Sequence, residues 1–251
     1  MAQASAVLNR WRELRLPFES APRLVRPLPG GLTNATFLIE ADGCPLVLRL
    51  SHPQPGRLGI DRQRELRLLS KGAAAGIAPS IIHAAPDDGI LVTEYLDMPA
   101  APLPRTDAQA ASLLDSLTAI HALDPGAEPV FDYVGHLDRY WQALQEATAP
   151  SAALTRRHAR VRDDALAFQQ GIGDGVICHH DPVPANALAD GGQWRWIDWE
   201  YGARGDRLFD YAVVHSQWGL PESAFTDSDA PRFALALNLY QHLCELWAEL
   251  R

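Results

Sequence analysis

Apolar and polar positions along the chain follow two regimes. Over the first hundred residues they alternate or form short blocks. Thr36-Phe37-Leu38-Ile39-Glu40 and Pro45-Leu46-Val47-Leu48-Arg49-Leu50 are strand-like, as are Ser80 to His83 and Ile90-Leu91-Val92-Thr93-Glu94-Tyr95. Asp42-Gly43 joins the first two as a hairpin turn, since that pair tolerates positive φ. Pro86-Asp87-Asp88-Gly89 turns the chain between the last two. One helix, Asp61 to Ala75, interrupts the strands and stops at Gly76. A glycine turn, Pro29-Gly30-Gly31-Leu32-Thr33-Asn34, precedes the hairpin.

The proline-rich stretch Asp97 to Pro104 closes this regime and reads as a hinge. Helical spacing then takes over. Thr106-Asp107-Ala108-Gln109 fits a capping box, and Leu113, Leu114, Leu117 and Ile120 recur on one face. Tyr133 to Thr148, Ala153 to Gln170 and Pro231 to Leu250 continue as helices. A short hairpin, Ala187 to Ala189 with Trp194 to Ile197, turns through Asp190-Gly191-Gly192. The plan is α+β: a small sheet lobe over residues 1–96, then a larger helical lobe over 97–251.

Composition narrows the function classes. Of the 251 residues, 47% are apolar and 21% charged, a globular balance. The net charge of −9 argues against nucleic acid or an anionic membrane as partner. No apolar run approaches the roughly 20 residues needed to span a bilayer, and residues 1–17 lack a secretory core, so a cytoplasmic location is expected. Cys44, Cys178 and Cys244 are odd in number and far apart, which fits a reducing compartment. Lys71 is the lone lysine, so a cation in a pocket has to be arginine.

The densest chemistry lies in Val176-Ile177-Cys178-His179-His180-Asp181-Pro182-Val183-Pro184-Ala185-Asn186. An Asp with an Asn five residues later, in a proline-bearing loop between apolar strands, suits phosphoryl transfer. The Asp can accept a proton from an attacking hydroxyl, and the Asn oxygen can hold a metal ion. The hairpin then delivers Asp198, a hard oxygen ligand for magnesium. A zinc cluster is disfavoured, because neighbours on an extended segment point to opposite faces.

These segments resemble the choline/ethanolamine kinases, within the aminoglycoside-phosphotransferase-like small-molecule kinases. Gly30-Gly31-Leu32-Thr33-Asn34 is similar to their phosphate loop. His179-x-Asp181-x-x-x-x-Asn186 is similar to their catalytic loop, and Ile197-Asp198-Trp199-Glu200 to their metal-binding segment. Gly205-Asp206-x-x-x-Asp210 is similar to the stretch just C-terminal to that segment. The resemblance implies a two-lobed, protein-kinase-like fold and ATP with Mg2+ as cofactors. It makes Asp181 the catalytic base, and Asn186 and Asp198 the metal ligands. His179 would brace the loop. Gly30, Gly31, Thr33, Asn34 and Arg49 would face the nucleotide phosphates, with Glu65 pairing Arg49, while Glu94 to Leu96 would hold adenine. The chain's end at Arg251 is expected to trim the helical part around the acceptor.

The acceptor implied is a small, cationic alcohol of the choline or ethanolamine kind. Trp199 and Trp218 are the favoured aromatic faces, with Trp141, Tyr201 and Tyr211 as further candidates and Glu200 as the nearby negative charge. Thiamine, an aminoglycoside or an amino sugar is the alternative acceptor. A nucleotide-binding module without turnover is the alternative outside the enzymes.

Overall fold

The structure, a computed structural model, describes residues 1–29, 34–51, 59–225 and 229–250. The expected phosphate-loop residues Gly30, Gly31 and Thr33 lie outside them. A five-stranded antiparallel sheet is ordered β1-β2-β3-β5-β4, from β1 (Arg23–Pro27), β2 (Asn34–Ala41), β3 (Cys44–Ser51), β4 (Ile81–Ala85) and β5 (Ile90–Glu94). Asp42 (φ 51°) and Gly43 (φ 78°) make the tight turn between β2 and β3, with Ala41 paired to Cys44.

Alternation along the strands divides the sheet into two faces. Phe37, Ile39, Leu46, Leu48, Leu50 and Val92 point to one side, under α1 (Ala2–Asn9) and the residues after it, where Ala4, Leu8 and Leu16 complete a core. The other side presents Thr36, Val47, Arg49, Leu91 and Thr93 to a cleft. Arg49 is therefore on the central strand and faces the cleft between two leucines that face away.

The helix α2 (Arg62–Ala74) starts where Asp61 accepts from the backbone N–H groups of Gln63 and Arg64. Its Leu68 and Leu69 are buried in the core of the helical part, not in that of the sheet. Gly72 lets α2 approach the Trp199 ring, since a Cβ there would lie 3.0 Å from it. Thus α2 ties the sheet to the helices α3 (Asp107–His121), α4 (Tyr133–Ala147), α5 (Ala152–Gln170), α6 (Arg207–Trp218) and α7 (Ala230–Glu249). Two small strand pairs complete the fold: β6 (Val176–Cys178) with β9 (Ala203–Gly205), and β7 (Ala187–Asp190) with β8 (Gln193–Trp196). The fold is the expected α+β, protein-kinase-like arrangement. No helix among the described residues is long and apolar enough to cross a membrane.

Four elements were not anticipated: α1, β1, β9 and α6. The run Leu208-Phe209-Asp210-Tyr211-Ala212-Val213-Val214 has aromatic and β-branched residues that weaken helix propensity. Burial of Leu208, Phe209, Ala212, Val213 and Val214, with Asp206 accepting from the Leu208 N–H, makes it α6. The expected capping box at α3 forms by halves. Thr106 Oγ1 accepts from the Gln109 N–H (3.2 Å), but Gln109 Oε1 accepts from the Arg105 N–H (2.7 Å) rather than from that of Thr106.

Candidate active site

The loop from His179 to Asn186 leaves β6 and enters β7, and helix α6 holds its start. The buried carboxylate of Asp210 accepts from the backbone N–H groups of His179 (3.0 Å) and His180 (2.8 Å), and pairs with His121 Nε2 (3.0 Å). Burial pushes the Asp210 carboxyl up, but the His121 hydrogen bond and the neighbouring histidines outweigh it and keep the carboxyl below its usual range. His179 Nε2 donates to the Ile197 carbonyl (3.0 Å), so this ring braces the loop against the strand that delivers Asp198. His121, Cys178 and Asp210 offer donor atoms within 4.8 Å of one another, yet the Asp210 oxygens already serve three N–H donors.

Asp181 is the next residue in this loop. Its Oδ2 accepts from Asn186 Nδ2 (2.8 Å), and that amide also reaches the Asp181 carbonyl (3.0 Å). Burial, and then the Asp198 charge, push the Asp181 carboxyl up to about 8. Asp198 has left-handed backbone (φ 61°), and the Ile197 N–H before it donates to the Asn186 carbonyl (2.9 Å). Asn186 and Asp198 are thus stitched together through one backbone bond. Burial and Glu200 raise the Asp198 carboxyl, with Arg49 opposing.

Behind these carboxylates runs a network of opposite charges. Arg49 Nη1 contacts Glu65 (2.5 Å) and Asp198 (3.3 Å). Arg62 Nη1 contacts Glu65 (2.8 Å) and Glu200 (3.2 Å), and Asn34 bridges Arg62 Nη2 and Glu200 Oε2 at 2.8 Å each. Burial alone would lower the Arg49 affinity for its proton, but Glu65 outweighs it, and the guanidinium stays charged.

One cleft of about 1070 Å³ connects all of this. At its sheet end lie Val47, Leu91, Glu94 and Leu96, and at its floor Asp181, Asn186 and Asp198. Asn34, Arg49 and Glu65 border it. Of the favoured acceptor residues, Trp199 and Glu200 border this cleft and Trp218 does not. Trp218 is buried beneath the loop, donating Nε1 to the Pro182 carbonyl (2.7 Å), and does not line the cleft. Trp199 borders the cleft but is 1% exposed, its Nε1 on the Trp196 carbonyl and its ring between Gly72 and His179. Glu200 is occupied by Asn34 and Arg62. Trp141 stacks on His158 (4.1 Å), and Tyr211 on Phe225 (5.2 Å).

Of the candidate aromatics outside the core, Tyr201 does line the helical end. Its hydroxyl meets that of Tyr140 (3.1 Å), and Phe131, His136, Tyr240 and Trp247 complete the wall. The signal for the last two was in the sequence. Tyr240, Leu243, Cys244 and Trp247 fall at the i, i+3, i+4, i+7 spacing of one helix face, a pattern that a core stripe shares.

Comparison with known proteins agrees with this geometry. The Phosphotransferase enzyme family matches residues 24–251. Protein LicA of Haemophilus influenzae is 27% identical over 203 residues, which are 78% of this chain and 58% of that protein. This chain therefore spans under two thirds of that relative. Among solved structures, choline kinase LicA from Streptococcus pneumoniae superposes with a TM-score of 0.78 at 19% identity, covering 100% of this chain and 91% of that one. A LicA structure in complex with AMP gives 0.77 at 19% identity, covering 98% and 89%. With the family match reaching from the first strand to the last residue, and a kinase-like cleft beneath it, the chain belongs to the phosphotransferase enzyme family.

Proposed function

We propose that the chain transfers the γ-phosphoryl group of ATP to the hydroxyl of a small, cationic alcohol of the choline or ethanolamine type. The observation that carries this is the placement of Asp181 at the floor of one cleft, with Asn186 and Asp198 beside it and an aromatic wall opposite the sheet. Residues 1–96 form the nucleotide lobe in this reading and residues 97–251 the acceptor lobe. AMP in a LicA structure of the same fold supports the nucleotide end.

Adenine lies between Val47, Leu91 and the Glu94–Leu96 segment, whose backbone offers it hydrogen bonds. Arg49, locked by Glu65, contacts the phosphates as a charge-assisted donor. Asp181 orients the acceptor hydroxyl and takes its proton as the bond to phosphorus forms. Its raised proton affinity suits that task.

The residues fit magnesium. Asn186 commits its amide nitrogen to Asp181, which leaves its oxygen available, and Asp198 adds a carboxylate crowded by Glu200 and Asp181 with Arg49 as partner. A cation there relieves that crowding. When bound, magnesium supplies charge neutralisation of the phosphate oxygens.

For the acceptor, the wall of Tyr140, Tyr201, Tyr240 and Trp247 replaces Trp199, Trp218 and Glu200. Burial raises the proton affinity of all three tyrosines, so the rings stay neutral and offer π faces to an ammonium group. The LicA relatives support a choline-like alcohol. The test is ADP release over a panel of choline, ethanolamine, thiamine, aminoglycosides and amino sugars. Turnover should be highest with a quaternary amino alcohol and vanish with chelator. Release with an amino sugar alone would move the acceptor class, and release with none would leave a nucleotide-binding module.

A further inference from the structure

The residue between the loop-bracing histidine and the base is His180, and its backbone is left-handed (φ 63°). A side chain in that region costs on the order of 1 kcal/mol that glycine would not incur. The ring is held on its face and at Nε2, while Nδ1 has no hydrogen-bond partner among the described residues. It stacks on Phe131, centroids 4.2 Å apart and planes 20° from parallel, and its Nε2 lies 2.8 Å from the Tyr133 hydroxyl. That hydroxyl also accepts from the Asp206 N–H (3.2 Å). Tyr133 is fully buried, and its own proton has His180 Nε2 as acceptor, which assigns a neutral ring protonated on Nδ1. Burial keeps it so, lowering the imidazole to about 4.

A neighbouring glycine makes room for the pair. A Cβ on Gly205 would stand 2.5 Å from the Tyr133 hydroxyl and 2.7 Å from His180 Nε2. The start of α6 therefore grips residue 180 twice: Asp210 takes its backbone N–H, and Asp206, through Tyr133, takes its ring. Phe131, the other half of the stack, is pinned by its N–H to the Arg204 carbonyl (2.7 Å) and lines the cleft.

We infer that His180 is a positioning residue: its ring, clamped between Phe131 and Tyr133, fixes the direction in which the next residue, Asp181, meets the acceptor. The inference rests on the proposed phosphoryl transfer for its kinetic readout alone. If the left-handed backbone were all that counted, glycine would serve at least as well. If the ring sets the aim, glycine frees the loop and the base loses its register.

The experiment compares wild type with His180→Gly, Tyr133→Phe and the double variant. It measures kcat and both Michaelis constants per folded enzyme, and amide exchange across residues 179–186. His180→Gly should lower kcat by about ten- to a hundredfold, the loss expected for a displacement of about 1 Å, with the ATP Michaelis constant unchanged. Exchange should quicken in that loop and not in α3. Tyr133→Phe should fall in the same direction, and the double variant should be no worse than the worse single, because both act through one contact. A His180→Gly protein with wild-type kcat and exchange overturns the inference, as does one that melts earlier yet turns over normally once folded. Should the wild type form no ADP with any alcohol, the functional reading falls, and the exchange data alone decide whether His180 holds the loop.

Discussion

At the scale of single residues, the carboxyl of Asp181 shows stability and chemistry opposed. Burial beside Asp198 pushes its proton affinity up to about 8, against roughly 3.9 in the unfolded chain. Below the lower value both states hold the proton and the group costs nothing. As pH rises toward 8 the unfolded chain ionises first, and folded stability is lost. Asp181→Asn removes that cost at pH 7 and keeps the shape. Turnover should fall by roughly a hundredfold or more, while the ligand-free protein should melt about 2–4 °C higher for each ~1 kcal/mol regained. A melting curve beside the kinetics checks both. Trp247 and Trp199 make a second contrast. Trp247→Ala should raise the acceptor's Michaelis constant about five- to thirtyfold, the loss of one cation–π contact of roughly 1–2 kcal/mol, with ATP unaffected. Trp199→Ala should instead lose about 3–5 kcal/mol of stability. Equal acceptor effects from both would return Trp199 to the wall. The sequence showed which residue types could meet a cation but not which side of a helix they face. Trp199 reaches the cleft only by an edge, being 1% exposed, and Trp218 is buried with its Nε1 on the Pro182 carbonyl.

At the scale of elements, the parts built from local signals were legible and the parts built from tertiary packing were not. The β2–β3 hairpin has its Asp-Gly turn and alternating pattern, and α2 has its Asp cap and Gly76 stop, so each declares itself. Helix α1 declares nothing: Ala2–Asn9 is too short to hold alone and forms because Ala4 and Leu8 cover the sheet. Helix α6 carries Asp210, which holds the start of the His179–Asn186 loop from a segment that reads poorly as helix. His121, its partner, lies 89 residues away, and no spacing rule joins them. The role of α1 can be tested by truncation. Deleting residues 1–18 would bare Phe37, Ile39, Leu46 and Leu48, fully buried or nearly so. Exposing side chains of this kind costs roughly 1.5–3 kcal/mol each. The truncated protein should lose its cooperative melt or aggregate from the sheet, although every cleft residue remains. A truncation that melts like the full chain would show that α1 contributes nothing to the sheet core.

At the scale of the molecule, buried neutral histidines set the response to acid. Burial, then the charges of Arg139, His180 and Arg64, bring His136 down to about 3, and burial brings His158, His179 and His180 to about 4. Unfolded, each titrates near 6.5. A base whose folded affinity is depressed gives full stability above 6.5 and loses it as pH falls toward the folded value. Each contributes about 1.4 kcal/mol per pH unit across that window. Asp181 and Asp198 act oppositely, because their raised carboxyls gain relative stability as pH falls from about 8 toward 4. Four histidines against two carboxyls leave about two protons in favour of the unfolded state. Stability of the ligand-free protein should therefore peak near pH 6.5 and decline by about 2–3 kcal/mol per unit toward pH 4. Denaturant melts at half-unit steps measure this directly. His136→Asn removes one of the four and should flatten the decline, whereas Asp181→Asn removes an opposing group and should steepen it. A profile that is level from pH 6.5 to 4.5, unmoved by either substitution, would mean these side chains are not buried neutral in the folded protein.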